Sequence, residues 1–217
     1  MTSDPETSAS GNADTGRPNQ HYFSEEPDVP SARKRIEVTL PDGSFVMDTD
    51  AGVFSHGRVD AGTKFLLLDA PALPPSGDLL DLGCGAGVIA LTMARRRPDC
   101  RVWAVDVNAR ARQLTIDNAR SLGLTNVNVV APDEMPADVS FAAIWSNPPI
   151  KVGKGELHDM LRRWIPRLDE HGVAVLVVNK NLGSDSLQKW LIEQGHPTSR
   201  LASRQGFRLL RVIRPPL

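Results

Sequence analysis

The chain has 217 residues, enough for one complete α/β domain, and a formal net charge of −1. Its two cysteines are too few for a disulfide framework and lack metal-ligand spacing, so a reducing compartment and no metal are expected. The longest strongly apolar run, Val173-Ala174-Val175-Leu176-Val177-Val178, is far too short to span a bilayer, and the N-terminus lacks the basic-then-apolar order of a signal peptide. A soluble cytoplasmic protein without a membrane partner is the expectation.

The near-neutral total hides an uneven distribution. Asp4, Glu6, Asp14, Glu25, Glu26 and Asp28 face Arg17 alone within residues 1–31, a net −5 that leaves +4 on the remainder. Residues 1–20 are rich in Ser, Thr, Gly, Asp, Asn and Pro and have almost no large apolar side chain to offset ordering entropy, so they read as a disordered acidic tail. A single domain over 21–217 follows, with a hairpin-and-helix extension over 21–76 ahead of a catalytic core over 77–217.

The extension opens with alternating polar and apolar residues over 33–40, turn chemistry at Pro41-Asp42-Gly43 and a returning strand over 44–48. The segment Val53-Phe54-Ser55 to Asp60-Ala61-Gly62-Thr63 leads into an apolar helix over 64–69. Strand and helix then alternate, which indicates a doubly wound, mostly parallel sheet. Strands are expected at 79–82, 101–106, 126–130, 141–145 and 172–178, helices at 88–97, 108–122, 155–168 and 184–193, and two short final strands at 198–202 and 207–213.

The first core strand runs into Asp81-Leu82-Gly83-Cys84-Gly85-Ala86-Gly87 and then a helix. Without a Cβ, Gly83, Gly85 and Gly87 can take positive φ and let a ligand lie against the backbone, at the strand end where open α/β sheets bind ligands. A dinucleotide fingerprint needs G-x-G-x-x-G, whereas Val88 occupies the place of its third glycine. Asp81 would repel a pyrophosphate and would welcome a cationic amino group. Asp106, ending the next strand, is placed to accept from two ribose hydroxyls. Taken alone, either carboxylate is more often a helix cap or a solvated strand end; the ordered set favours ligand contact. Cys84 has no neighbouring His or Cys partner and reads as a small filler of the turn rather than a nucleophile.

This arrangement resembles the class I S-adenosylmethionine (SAM) methyltransferases. The resemblance implies SAM as cofactor and a seven-stranded Rossmann-like sheet closed by an antiparallel hairpin. It places Asp81, Gly83, Cys84, Gly85, Gly87, Asp106, Val107, Asp133, Asn147 and Thr63 around the cofactor.

Ser146-Asn147-Pro148-Pro149 ends the fourth core strand. An exocyclic amino nitrogen is a poor nucleophile because its lone pair is delocalised into the adjoining π system. The side-chain carbonyl of Asn147 and the backbone carbonyl of Pro148 offer two acceptors for its two N–H bonds, which aims the lone pair at a methyl donor. Prolines stiffen the loop, so catalysis by Asn147, Pro148 and Pro149 rests on alignment. An isolated Asn-Pro-Pro would be an ordinary turn; behind the acid-glycine turn it resembles the amino-methylating group of the class I family. That group carries an aromatic in the fourth place, where this chain has Ile150, so Ile150 becomes an apolar wall and Phe54 a candidate stacking ring.

His21-Tyr22-Phe23-Ser24, the segment from Val53 to Thr63, and Asn147 through Lys154 together resemble the ribosomal RNA guanine-N2 methyltransferases of the RsmC type, in a short, single-domain form. The resemblance implies RNA as partner, with ribosomal RNA or an assembly intermediate as the substrate. Arg33, Lys34, Arg35, Lys151, Lys154, Arg200, Arg204, Arg208, Arg211 and Arg214 are available for phosphates. Lys151 and Lys154, beside the Asn-Pro-Pro loop, are the favoured substrate contacts, together with Ile150 and Phe54; the others read as solvated charges. Arg95-Arg96-Arg97 is explained by a helix C-terminus. His56 and His158 lack triad partners and stay outside the site. A protein glutamine or small amine as acceptor, and a non-catalytic SAM- or RNA-binding module, are the alternatives.

Overall fold

Strands buried on both faces need helices on both faces, and the alternation of strand and helix along this chain supplies them. The computed structural model describes residues 29–149 and 153–215. The tail over 1–20, the His21-Tyr22-Phe23-Ser24 segment, and Ile150, Lys151 and Val152 lie outside the described residues. An antiparallel hairpin of β1 (Lys34–Leu40) and β2 (Gly43–Thr49) and helix α1 (Ala61–Asp69) come first. Then follow β3 (Asp78–Leu82), α2 (Val88–Arg96), β4 (Val102–Val105), α3 (Ala109–Ser121), β5 (Val127–Val130) and β6 (Phe141–Ser146). Helix α4 (Lys154–Trp164), β7 (Leu168–Asn179), α5 (Ser184–Glu193), β8 (Thr198–Arg204) and β9 (Phe207–Ile213) complete the chain.

The seven core strands form one sheet in the order β5-β4-β3-β6-β7-β9-β8, parallel from β5 to β7 and antiparallel through β9 and β8. The expected Rossmann-like sheet with a closing hairpin is therefore the fold observed. Successive crossovers move outward from β3 through β4 to β5, then outward from β6 to β7. The reversal lies between β3 and β6, the switch point at which such sheets open a crevice. Asp81 pairs in register with Ala104 and Trp145, so the carboxyl ends of β3, β4 and β6 are level, and Asp81, Asp106 and Asn147 share one edge.

Side chains alternate across the sheet. Leu79, Val102, Ala104, Trp145 and Val175 face a core shared with the hairpin and α1 to α3; Leu80, Trp103, Val105, Ile144 and Leu176 face one shared with α4 and α5. Asp81 has the parity of Leu79 and so points toward α2. Leu66, Leu91 and Leu161 are almost wholly buried, and truncation of any of them to alanine costs about 2–5 kcal/mol.

The extension is fastened to the core by polar contacts. Asn118 of α3 accepts from the Asp48 N–H at 2.8 Å and donates to the Asp48 carbonyl at 2.9 Å and the Ala86 carbonyl at 3.0 Å, tying β2 to the glycine turn. Arg110 donates to the carbonyls of Val29 and Ala51, and Asn108 to that of Gly52. The Arg95-Arg96-Arg97 run does more than complement a helix end. Arg96 pairs with Asp42 of the hairpin turn, and Arg97 donates to the carbonyls of Leu73 and Pro74.

Element ends shift for local reasons. Helix α1 starts at Ala61 rather than 64 because the Asp60 carboxylate caps Thr63 N–H. Helix α4 stops at Trp164, and a 3-10 turn over Ile165–Arg167, carrying Pro166, takes its place before β7 begins at Leu168 rather than 172. Strand β8 runs to Arg204 because Gln205 (φ 47°) and Gly206 (φ 82°) make a two-residue hairpin turn.

Asn118→Ala deletes all three bonds between β2, α3 and the turn, and is expected to lower stability by about 1–3 kcal/mol. Urea unfolding measures this. An unchanged midpoint would mean that the Arg96–Asp42 pair, the Arg110 and Asn108 contacts and apolar packing dock the hairpin without Asn118.

Candidate functional site

The glycine turn has the conformation its sequence requires. Gly83, Gly85 and Gly87 have φ of 77°, 55° and 91°, which L side chains rarely adopt. A Cβ on Gly83 would meet nothing within 4 Å, so the backbone there faces open space. Gly87 serves differently from expectation. Its absent Cβ would lie 2.8 Å from the Thr115 side chain, so it lets α2 press on α3 and does not line the cavity.

Gly87 caps α2 without a side chain, and Asp81 makes up the deficit by accepting from Ala90 N–H through Oδ2 at 2.9 Å. The other carboxylate oxygen, Oδ1, is buried with no hydrogen-bond partner. Burial pushes the Asp81 carboxyl up to about 8, the Ala90 N–H pulls it down, and neighbouring Asp106 adds to the rise. Of the roles weighed for it in the sequence, the structure gives Asp81 that of helix cap; the residue is wholly buried beneath the turn and does not line the cavity.

Asp106 accepts from Gly85 N–H at 2.9 Å through one oxygen and from Asn108 N–H at 2.9 Å through the other. Burial raises its pKa against those two bonds. Each carboxylate oxygen retains acceptor capacity, and the residue lines the cavity with Val107, which is 44% exposed. Asp133 departs from expectation: its side chain is 92% exposed and pairs with Arg163, and Pro132 lines the cavity in its stead. The cause is the 3-10 turn Pro132–Glu134, which turns Asp133 outward. Cys84 is buried against the Thr115 hydroxyl, and burial pushes its thiol well up, so it stays protonated as a filler.

At the end of β6 the Asn147 amide is held by two partners. Its Nδ2 donates to Asp60 Oδ2 at 2.8 Å and to Thr63 Oγ1 at 3.0 Å. A carboxylate can only accept, so the amide nitrogen must face Asp60 and the carbonyl oxygen must face away. In the sequence Thr63 was placed with the cofactor and Asp60 stood only in the segment leading into the helix; the structure joins both to Asn147. The signal was the Asp-x-x-Thr spacing of a helix cap, hidden by starting the helix at residue 64. The three residues share a narrow recess with Gly83 to Ala86.

A cavity of about 460 Å³ gathers Phe54, Asp60, Gly83, Gly85, Asp106, Val107, Asn147, Pro148 and Pro149, within the usual range for small-ligand sites. Glu156, Met160 and Trp164 of α4, Asn179 at the end of β7, Leu182 in the turn after it, and Phe207 of β9 also line it. Their place depends on packing between distant elements and leaves no mark in the local sequence. Phe54 is 47% exposed, at the cavity wall. Lys154 begins α4, two residues before Glu156, and is exposed. His56 bonds to the Ala32 carbonyl and His158 stacks on Trp190, both away from the cavity. Among the described residues no cluster of His, Cys, Asp or Glu could hold a metal ion, and no helix is long and apolar enough to cross a membrane.

The methyltransferase small domain model matches residues 44–211. The chain belongs to this family. An uncharacterized protein of Bacillus subtilis (strain 168), YbxB, is 32% identical over 195 residues, which cover 88% of this chain and 97% of that one. Ribosomal RNA small subunit methyltransferase C of Pseudomonas aeruginosa (strain LESB58) is 36% identical over 85% of this chain, and the match spans 55% of the relative's length. Among solved structures, the T. thermophilus 16S rRNA N2 G1207 methyltransferase (RsmC) in complex with AdoMet and guanosine shares the fold. Its TM-score is 0.72 at 24% identity, over 86% of this chain and 52% of that one. The RsmC-type resemblance read from the residues agrees with these relatives.

A carboxyl whose pKa is raised on folding contributes stability that is full below its unfolded value of 3.8 and is lost as pH rises toward about 8. Asp81→Asn, which keeps an acceptor for Ala90 N–H, is expected to flatten that decline. Thermal unfolding of the ligand-free protein between pH 5 and 8.5 measures it, and parallel pH profiles for parent and variant would show Asp81 already ionised in the folded state.

Proposed function

We propose that this chain is a SAM-dependent N-methyltransferase that modifies guanine N2 of RNA, with small-subunit ribosomal RNA as its substrate. The observation that carries the reading is the fixed Asn147 amide, whose Nδ2 is bound by Asp60 and Thr63 while Oδ1 remains an acceptor. The names of the P. aeruginosa and T. thermophilus relatives support the substrate, and a ribosomal substrate implies a cytoplasmic place of action.

The residues fit the cofactor. The open backbone at Gly83, the half-buried Asp106 carboxylate and the unpartnered Asp81 Oδ1 suit a ligand with a polar sugar and a cationic amino group. Gly83, Gly85, Asp106 and Val107 would hold it, with Asp81 buried beneath the turn, where a positive charge brought by the ligand would favour its ionised form. When bound, SAM supplies a methyl group on a positively charged sulfur.

The protein's part is alignment. Asn147 Oδ1 and the Pro148 carbonyl accept the two N–H bonds of the guanine amino group, so its lone pair is turned out of conjugation and toward the methyl donor. Asp60 acts one step back as a positioning residue, because rotation of the Asn147 amide would set an N–H against the substrate's N–H. Phe54, partly exposed at the cavity wall, offers the stacking face that Ile150 does not provide after the two prolines. Histidine is absent from the described lining, which agrees with catalysis by orientation.

Transfer of labelled methyl groups from SAM into unmodified small-subunit rRNA, rather than into ribosomal proteins, is the expected outcome, and label confined to protein would overturn the RNA reading. Asn147→Ala is expected to keep SAM affinity within a few-fold while single-turnover transfer falls by roughly 10²-fold or more. Asp60→Ala should lower the same rate with SAM affinity retained. Full activity of the Asn147 variant would reduce Asn-Pro-Pro to a structural turn. Calorimetry on Asp106→Ala should show SAM binding weakened by about 1.5–3 kcal/mol for each hydrogen bond removed from the carboxylate; unchanged affinity would remove Asp106 from the cofactor site.

A further inference from the structure

The hairpin that closes the sheet has a feature that the sequence left among solvated charges. Lys180, Arg200, Arg204 and Arg208 line one open pocket of about 330 Å³ together with Ser203 and Phe207. These residues come from the turn after β7, from β8 and from β9, and the pocket wraps the hairpin tip: Arg204 and its pair Phe207 lie on the α1 side of the sheet, Arg208 and its pair Ser203, with Arg200, on the α5 side. The Lys180 N–H donates to the Gly206 carbonyl at 2.7 Å, which fixes the β7 turn against the hairpin tip.

Two carboxylates hold the pocket's arginines. Asp185 pairs with Arg200 at 3.3 Å and with Arg208, and Asp69 pairs with Arg204 at 3.1 Å. Four cations against two carboxylates leave two positive charges in excess. The Arg208 side chain is only 10% exposed and serves as a fixed charge at the pocket wall; those of Arg200 and Arg204 are 46% and 52% exposed and remain accessible to a ligand. The Arg204 guanidinium also lies over the Phe65 ring, 5.7 Å from its centroid, which limits its freedom.

Phe207 lines this pocket and the 460 Å³ cavity alike, so the two adjoin at that residue. A nucleotide whose base enters the cavity carries a phosphodiester on either side, and this pocket supplies positive charge beside the cavity for one of them. We infer that the Lys180–Arg200–Arg204–Arg208 pocket is a subsite for a backbone phosphate of single-stranded RNA flanking the target guanine. This inference rests on the RNA reading of the cavity. It assigns to the closing hairpin a share of substrate binding, through charge and a hydroxyl donor and with no base readout.

The test uses the full chain and an unmodified small-subunit rRNA transcript, with binding measured in the absence of SAM over a range of salt. Lys180→Gln/Arg200→Gln is expected to weaken transcript binding about five- to tenfold at low salt and to reduce the log–log salt slope by about 0.7 for each phosphate no longer neutralised. SAM affinity and binding of guanosine, which has no phosphate, should stay at parent values and report an intact fold. Arg200→Lys in the otherwise native chain should retain most of the salt slope. Parent-like affinity and slope in the double variant would overturn the subsite. So would competition by inorganic phosphate that the double substitution abolishes while RNA affinity is unchanged, because the pocket would then serve a free anion. If the parent neither binds nor methylates the transcript, the RNA reading itself fails, an outcome distinct from failure of this pocket alone.

Discussion

The Asp60 side chain accepts hydrogen bonds from two partners, and that one-sidedness orders the centre of this protein. Because Asp60 accepts, Asn147 must donate toward it; because Asn147 donates there, its carbonyl oxygen is left for whatever enters the cavity. The same carboxylate oxygen caps the first turn of α1, so the helix start and the amide orientation are set by one atom. Thr63, in that first turn, supplies the second acceptor. The extension is therefore more than a cover. It delivers, across the 87 residues separating Asp60 from Asn147, the group that tells the β6 loop which way to face.

The cofactor side depends on a different arrangement of polar groups. Helix α2 begins at a glycine, which frees the turn for positive φ but gives up a capping side chain, and Asp81 replaces the cap from the preceding strand. Its second oxygen is left unpaired in a wholly buried place. Such an arrangement is costly unless a donor or a positive charge arrives. Asp106, by contrast, is steadied by Gly85 and Asn108 and keeps room to accept more.

How much of this was legible in the sequence varied with the distance over which the signal acts. The glycine turn, the acid ending β4 and Asn-Pro-Pro at the end of β6 are local patterns with local causes, and the structure brings Gly83, Gly85, Asp106 and Asn147 to one cavity. The sheet and its closing hairpin followed from apolar runs and turn residues. Gly87 and Asp133 diverged because composition does not say which neighbour a residue meets: Thr115 in one case, Arg163 in the other. Phe207, Trp164 and Met160 line the cavity through tertiary packing alone, and the cations of the closing hairpin gain meaning only when β8, β9 and the turn after β7 are seen side by side.

Asn118 joins the backbone of Asp48 to that of Ala86, so the outer hairpin and the glycine turn hang from a single side chain. A transient opening of the hairpin thus also releases a carbonyl of the turn, and fraying of the extension and loosening of the ligand cradle become one event in place of two. Local unfolding units are usually drawn along supersecondary boundaries; here the boundary runs through the ligand site. Whatever steadies the turn also steadies the hairpin through this one side chain, and adds to the Arg96, Arg110 and Asn108 contacts that hold a two-stranded extension which would be marginal by itself.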